Sequence, residues 1–124
     1  MKPSDPLNLS VLVVEDDWLL REQIVSNLQE EGYSVIEAEA GRDALDLLET
    51  AYRIDLLITD IRLSDSISGW EVAQAFRERD KDLPVIYASS SPPNDRRRVE
   101  DTTFLAKPYS ATDLLNACRT VSKK

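Results

Sequence analysis

A 124-residue chain of net charge −8, 42% hydrophobic and 31% charged, has the composition of one globular domain with its own core. The acidic balance, with a pI near 4.5, argues against phosphate-backbone or anionic-membrane binding, so neither nucleic acid nor membrane is an expected partner. Histidine is absent, which excludes imidazole metal sites and histidine-based nucleophilic triads; the single cysteine, Cys118, cannot close an internal disulfide and fits a reducing, cytoplasmic setting.

Residues 1–8, with Pro3 and Pro6 and no apolar signal region, read as a flexible leader before a domain spanning 9–124. The β-branched run Val11-Leu12-Val13-Val14 predicts a central strand that stops at Glu15-Asp16-Asp17. Asp17 is placed to cap a helix reaching about Glu31, with Leu20, Ile24 and Leu28 as its buried stripe and Gly32 as its stop. Ser34 to Ala38 is more polar and predicts an edge strand. A second helix follows Gly41, buries Ala44, Leu45 and Leu48, and ends near Arg53.

Leu56-Leu57-Ile58-Thr59 is a short apolar run that delivers Asp60 to its end, as in a strand buried on both faces. Gly69 opens a third helix with Val72, Ala73 and Phe76 facing inward. Pro84 introduces the strand Val85-Ile86-Tyr87-Ala88, which ends at Ser89. Asn94 to Asp101 is charged, with Val99 as its apolar residue, and supports a short helix at most; Arg96, Arg97 and Arg98 read as a solvated turn. Thr103 to Ala106 predicts a last strand before Lys107-Pro108. Ser110 and Asp113 form a capping-box pair for a final helix that buries Leu114, Leu115, Cys118 and Val121, with Cys118 as a core filler.

Strands alternating with helices predict an α/β fold: a flavodoxin-like, doubly wound (βα)5 parallel sheet of order 2-1-3-4-5, its fourth helix short or absent. The most apolar strands, the first, third and fourth, belong in the middle. In that order the carboxyl ends bring Glu15, Asp16, Asp60, Ser89 and Lys107 to one rim. Crowded carboxylates repel unless a cation lies between them; an all-oxygen donor set points to Mg²⁺, Mn²⁺ or Ca²⁺, of which Mg²⁺ suits a few carboxylates with remaining waters. A carboxylate nucleophile, a hard cation, a hydroxyl and a lysine make a phosphoryl-transfer site, with Asp60 as the natural acceptor.

These motifs, Val-Leu-Val-Val-Glu15-Asp16-Asp17, Leu-Leu-Ile-Thr-Asp60, Pro84-Val-Ile-Tyr-Ala-Ser89 and Phe104-Leu-Ala-Lys107-Pro108, resemble the receiver domain of two-component response regulators from Val11 to about Val121. The resemblance implies that Asp60 accepts a phosphoryl group from a phosphohistidine on a histidine kinase or histidine phosphotransfer protein. It implies direct Mg²⁺ ligation by Asp16, Asp60 and the Arg62 backbone carbonyl, with Glu15 acting through water. It further implies phosphoryl contacts from Ser89 and Lys107, a cis Lys107-Pro108 bond, and Ser89 with Phe104 as the switch pair signalling to a downstream protein. The result is a signalling module, monomeric or weakly dimeric, that catalyses only its own phosphorylation and slow dephosphorylation. It is expected either to act alone or to belong to a larger protein.

Two departures from the family stand out. Ser64 occupies the position of a common proline four residues after the acceptor, in a loop about one residue longer than usual. The Ser89 to Lys107 segment is about four residues shorter than in the chemotaxis regulator and lacks a small Gly-Ala pair before the last strand. Trp18 reads either as a partner contact or as a lid over the acids. Two other functions fit the residues less well: an Mg²⁺-dependent aspartyl-phosphate phosphohydrolase, which would want an acid where Arg62 stands, and an unphosphorylated docking module.

Overall fold

In the computed structural model, which describes residues 9–90 and 98–122, the strands are β1 (Ser10–Val14), β2 (Ser34–Ala38), β3 (Leu56–Asp60), β4 (Val85–Ser89) and β5 (Thr102–Ala106). They form one parallel sheet of order β2-β1-β3-β4-β5. The helices are α1 (Trp18–Glu30), α2 (Gly41–Asp46, continued by a 3-10 turn Leu47–Glu49), α3 (Gly69–Arg79) and α4 (Ala111–Ser122). The expected doubly wound sheet and strand order are therefore observed, with β1, β3 and β4 in the middle.

Side chains alternate across each strand, so every strand feeds two cores. Val11, Val13, Leu56, Ile58, Ile86 and Ala88 face one cluster with Ile24 and Leu28 of α1 and Leu114, Cys118 and Val121 of α4. Leu12, Val14, Leu57, Val85 and Tyr87 face the other, with Ala44 of α2 and Trp70, Val72, Ala73 and Phe76 of α3. Two helices thus cover each face, as right-handed crossovers between parallel strands require. Cys118 is fully buried in the first cluster and unpaired.

The helix starts follow local chemistry. The Asp17 carboxylate accepts from the Leu19 and Leu20 N–H groups and caps α1. Ser68 and Glu71 make a reciprocal capping box on α3, and Ser110 and Asp113 exchange the equivalent pair of bonds before α4. Gly32, at φ 98°, takes the left-handed conformation that ends α1.

Three details differ from the sequence expectation. The second helix ends at Asp46 rather than near Arg53, because the chain tightens into a 3-10 turn that Thr50 closes on the Leu47 carbonyl. Leu20, Leu45, Leu48 and Leu115 are only half-buried. Trp70, absent from the expected buried set of α3, is 3% exposed and lies with its ring centroid 4.7 Å from that of Tyr87. Between β4 and β5 the described residues contain no helix. The leader at 1–8 and most of the charged segment, 91–97, lie outside the described residues. No described helix is long and apolar enough to cross a membrane.

Candidate phosphoryl-transfer site

The carboxyl ends of β1 and β3 set the acids. Glu15 leaves β1 with its N–H donated to the Ala38 carbonyl of β2, at 3.1 Å, and its own carbonyl accepting from Arg21 Nη1 at 2.6 Å. Arg21 also pairs with Glu37 through Nε at 3.0 Å, so α1 and β2 together fix the exit of β1. The Glu15 side chain is buried, and its Oε2 accepts from the Asp17 N–H at 3.2 Å. Asp60 closes β3, its Oδ1 accepting from the Ile61 N–H at 2.7 Å. Gly69 makes this close geometry possible: its N–H donates to the Ile61 carbonyl at 2.8 Å, and a Cβ there would overlap the Asp60 carbonyl oxygen.

Lys107 reaches back across the rim from the end of β5. Its Nζ donates to Glu15 Oε1 at 3.0 Å and to Asp60 Oδ2 at 3.1 Å, and its backbone N–H donates to the Ser89 carbonyl at 2.9 Å. One residue thus ties the ends of β1, β3, β4 and β5 together. The Lys107-Pro108 peptide bond is cis. One carboxylate oxygen from each of Glu15, Asp16 and Asp60 lies within 4.8 Å of the others.

Electrostatics follow from burial and crowding. Burial raises the Glu15 pKa above its usual value; the Lys107 ammonium and the Asp17 N–H oppose that rise, and the nearby Asp60 charge adds to it. Burial alone would lower Lys107, but its bonds to Glu15 and Asp60 outweigh this and the ammonium is held above its ordinary value. Three close carboxylate oxygens without imidazole or thiolate are the donor set of a hard, oxygen-seeking cation, so the residues present fit Mg²⁺.

Glu15, Asp16, Asp60 and Lys107 are therefore brought together. Ser89 is buried at the end of β4, paired with Ala106 in the ladder, one residue beyond the partner of Asp60. Phe104 is half-buried on β5, opposite Tyr87 in register, with ring centroids 6.5 Å apart. The Arg62 side chain is exposed in the loop after β3. Trp18, at the start of α1, is 62% exposed.

Sequence reasoning missed three participants. Arg21 was invisible because its role is to bond a backbone carbonyl six residues back. Tyr87 is legible in the sequence only as part of a strand, although its hydroxyl accepts from the Val99 N–H at 3.2 Å and anchors the segment before β5. Its pairing with Phe104 could have been found by carrying period-two alternation across adjacent strands. Tyr109 follows Lys107 by two residues; its hydroxyl oxygen is buried without a hydrogen-bond partner among the described residues, and burial, then the Glu15 and Asp60 charges, raise its pKa.

A family model described as the response regulator receiver domain matches residues 11–119. A probable transcriptional regulatory protein of Picosynechococcus sp. is 31% identical over 92% of this chain and 49% of its own length, and the transcriptional regulatory protein PcoR of Escherichia coli is 29% identical over 92% and 51%. The chain spans about half the length of these curated relatives. Among solved structures, a response regulator receiver protein from Sinorhizobium medicae superposes with TM-score 0.89, at 28% identity over 94% of this chain and 95% of that one. The response regulator TrrA of Thermotoga maritima, solved with Mg²⁺ and BeF, gives 0.81 at 31% identity over 91% and 98%. By sequence and by fold, the chain belongs to the response regulator receiver domains of two-component signalling.

Proposed function

We propose that this receiver is phosphorylated on Asp60 by a phosphohistidine of a histidine kinase or histidine phosphotransfer protein, in the presence of Mg²⁺, and reports that event to a downstream protein. The observation that carries this reading is the Lys107 ammonium lying between Glu15 and Asp60 beside the three-carboxylate cluster. Such a site has little covalent work to do; it positions reactants and balances charge.

Asp16 and Asp60, with the Arg62 backbone carbonyl, hold the metal in this reading, and the buried Glu15 acts through water. A bound Mg²⁺ supplies neutralisation of the phosphoryl oxygens as their charge shifts. An Asp60 carboxylate oxygen attacks phosphorus; the P–N bond to the donor imidazole breaks, and its electron pair leaves with that imidazole. The product is an acyl phosphate on Asp60. Lys107, already within 3.1 Å of Asp60, pairs with one phosphoryl oxygen, and the Ser89 hydroxyl donates to another. Movement of Ser89 and Lys107, which share a backbone hydrogen bond, then pulls on β4 and β5, where Phe104 packs. Later attack by water on the acyl phosphate returns inorganic phosphate, so the module resets itself without metabolic turnover.

The partner is a protein. The exposed Trp18 and Leu19 lie beside the acids and offer it apolar contact. The charge of −8 makes the receiver itself a poor ligand for nucleic acid; the relatives named as transcriptional regulators are about twice as long.

The test is incubation of the chain with Mg²⁺ and acetyl phosphate, followed by intact mass, with tryptophan fluorescence on addition of beryllofluoride. The wild type is expected to gain one phosphoryl group and to respond to beryllofluoride, and Asp60→Asn to do neither. A folded wild type that does neither sinks the reading.

A further inference from the structure

The loop from β3 to α3, residues 61–68, is held at its ends by short-range bonds: Asp60 Oδ1 to the Ile61 N–H, Gly69 N–H to the Ile61 carbonyl, and the Ser68 capping box. Its middle is held differently. Helix α2 starts after Ala40, whose extended backbone occupies the cap position and whose side chain has no acceptor. The acceptor comes from the loop instead. Asp65 Oδ2 accepts from the Arg42 N–H at 2.8 Å, and Oδ1 from the Gly41 N–H at 3.1 Å and from the Ile67 N–H at 3.4 Å.

Packing backs these bonds. Gly41 is buried against Ile67, and a Cβ at position 41 would stand 2.6 Å from the Ile67 Cβ. Ile67 and Leu63 in turn pack on the second core cluster. The Arg42 N–H, chiefly, holds the Asp65 carboxyl below its ordinary value; burial opposes this, and the Gly41 and Ile67 N–H groups add to the lowering. Asp65 therefore meets its three donors as a carboxylate. Ser64, directly before it, supplies no ring restraint on φ, so in this loop the restraint comes from a side chain.

We propose that Asp65 is a positioning residue of the phosphorylation site: by tying the loop to the first amides of α2, it fixes the path of the segment carrying the Arg62 carbonyl and so sets the affinity for Mg²⁺. The proposal rests on the reading of that carbonyl as a metal ligand. It makes α2, which contributes no side chain to the rim, part of the site's support.

The test titrates the full chain with Mg²⁺ alone, followed by tryptophan fluorescence or calorimetry, in the wild type, Asp65→Ala, Asp65→Asn and Ala44→Gly. Amide hydrogen exchange is measured at Gly41 and Arg42. Ala44→Gly loosens α2 while leaving every Asp65 bond in place, and so controls for general loss of the helix. Asp65→Ala is expected to weaken Mg²⁺ binding about tenfold, the scale of losing a group that orients metal ligands. Asp65→Asn, keeping one acceptor oxygen, is expected to fall between it and the wild type, and exchange at Arg42 to quicken in both. A folded Asp65→Ala with wild-type affinity overturns the proposal, as does an equal loss in Ala44→Gly. Should Asp65→Ala not fold, Asp65→Asn decides: quickened exchange at Arg42 with unchanged Mg²⁺ affinity overturns it. A wild type that binds no Mg²⁺ overturns the metal reading and the proposal with it, whereas binding in the wild type that every variant retains overturns the proposal alone.

Discussion

The two halves of the rim are built to different standards. The acidic half, at the ends of β1 and β3, sits on strands with neighbours on both sides, and its exits are fixed by Arg21, Gly69 and the Asp17 cap. The other half, at β4 and β5, runs to the sheet edge, where Phe104 is half-buried and the preceding segment is held by a Tyr87 hydroxyl and an Arg77 guanidinium. In that segment Asp101 adopts a positive φ of 56°, a conformation a non-glycine residue enters at some cost. The acids lie where the lattice of strand bonds is complete, and Lys107 reaches them from the edge. The β4–β5 half has fewer such bonds, so it is the half expected to open at lower cost.

The sharpest way to break this comparison is to truncate one residue on each side. Ile58→Ala in β3 removes a fully buried side chain and is expected to cost about 2–5 kcal/mol. Phe104→Ala at the edge, where the ring is half-buried, is expected to cost less. Urea unfolding of both variants measures the difference, and equal losses would refute the claim that the two halves differ in rigidity. Next in size is Lys107→Met. Withdrawing the one ammonium between Glu15 and Asp60 should strengthen Mg²⁺ binding roughly tenfold while weakening retention of the phosphoryl group. Metal titration and the lifetime of the phosphorylated protein read the two effects separately, and a weaker metal affinity would contradict it.

A smaller effect is expected from Tyr87→Phe, which deletes the acceptor for the Val99 N–H. The loss should be about 1 kcal/mol, with faster amide exchange confined to the segment before β5. Exchange unchanged there would mean that Tyr87 anchors nothing.

The smallest effects are in pH dependence, and they carry opposite signs. Asp65, whose pKa is lowered from 3.8, adds stability present above that value and lost as pH falls through its folded value. Glu15, raised from 4.5, adds stability present below that value and lost as pH rises through its folded value. Unfolding curves across acid pH should therefore show Asp65→Asn losing its deficit in acid, and Glu15→Gln gaining on the wild type as pH rises.

How much of this could be read in advance depended on the range of each signal. Val11 to Val14 and Leu56 to Thr59 end in acids, so strand, strand end and site residue all lay in five or six consecutive letters. The capping pairs Ser68 with Glu71 and Ser110 with Asp113 are equally local, although only the second was read from the sequence. The end of α2 was misjudged because Leu47 and Leu48 prolong the apolar pattern while the backbone tightens beneath it. Trp70 stands second in its helix, where caps rather than core are expected, so its burial has no local signal. Asp65 gave no sign because its partners lie 24 and 23 residues away and are backbone amides, which have no letter of their own.

The buried Cys118 gives this protein an internal clock. Burial pushes its thiol up to about 12, and α4 shields it from solvent, so a thiol reagent meets neither a thiolate nor an open path. Modification must wait for α4 to lift from the sheet. Because the chain has a single cysteine, each molecule that opens is marked once. The labelling rate of the native protein therefore reports that opening, and comparing it with and without phosphoryl group or beryllofluoride asks whether an event at Asp60 is felt at α4.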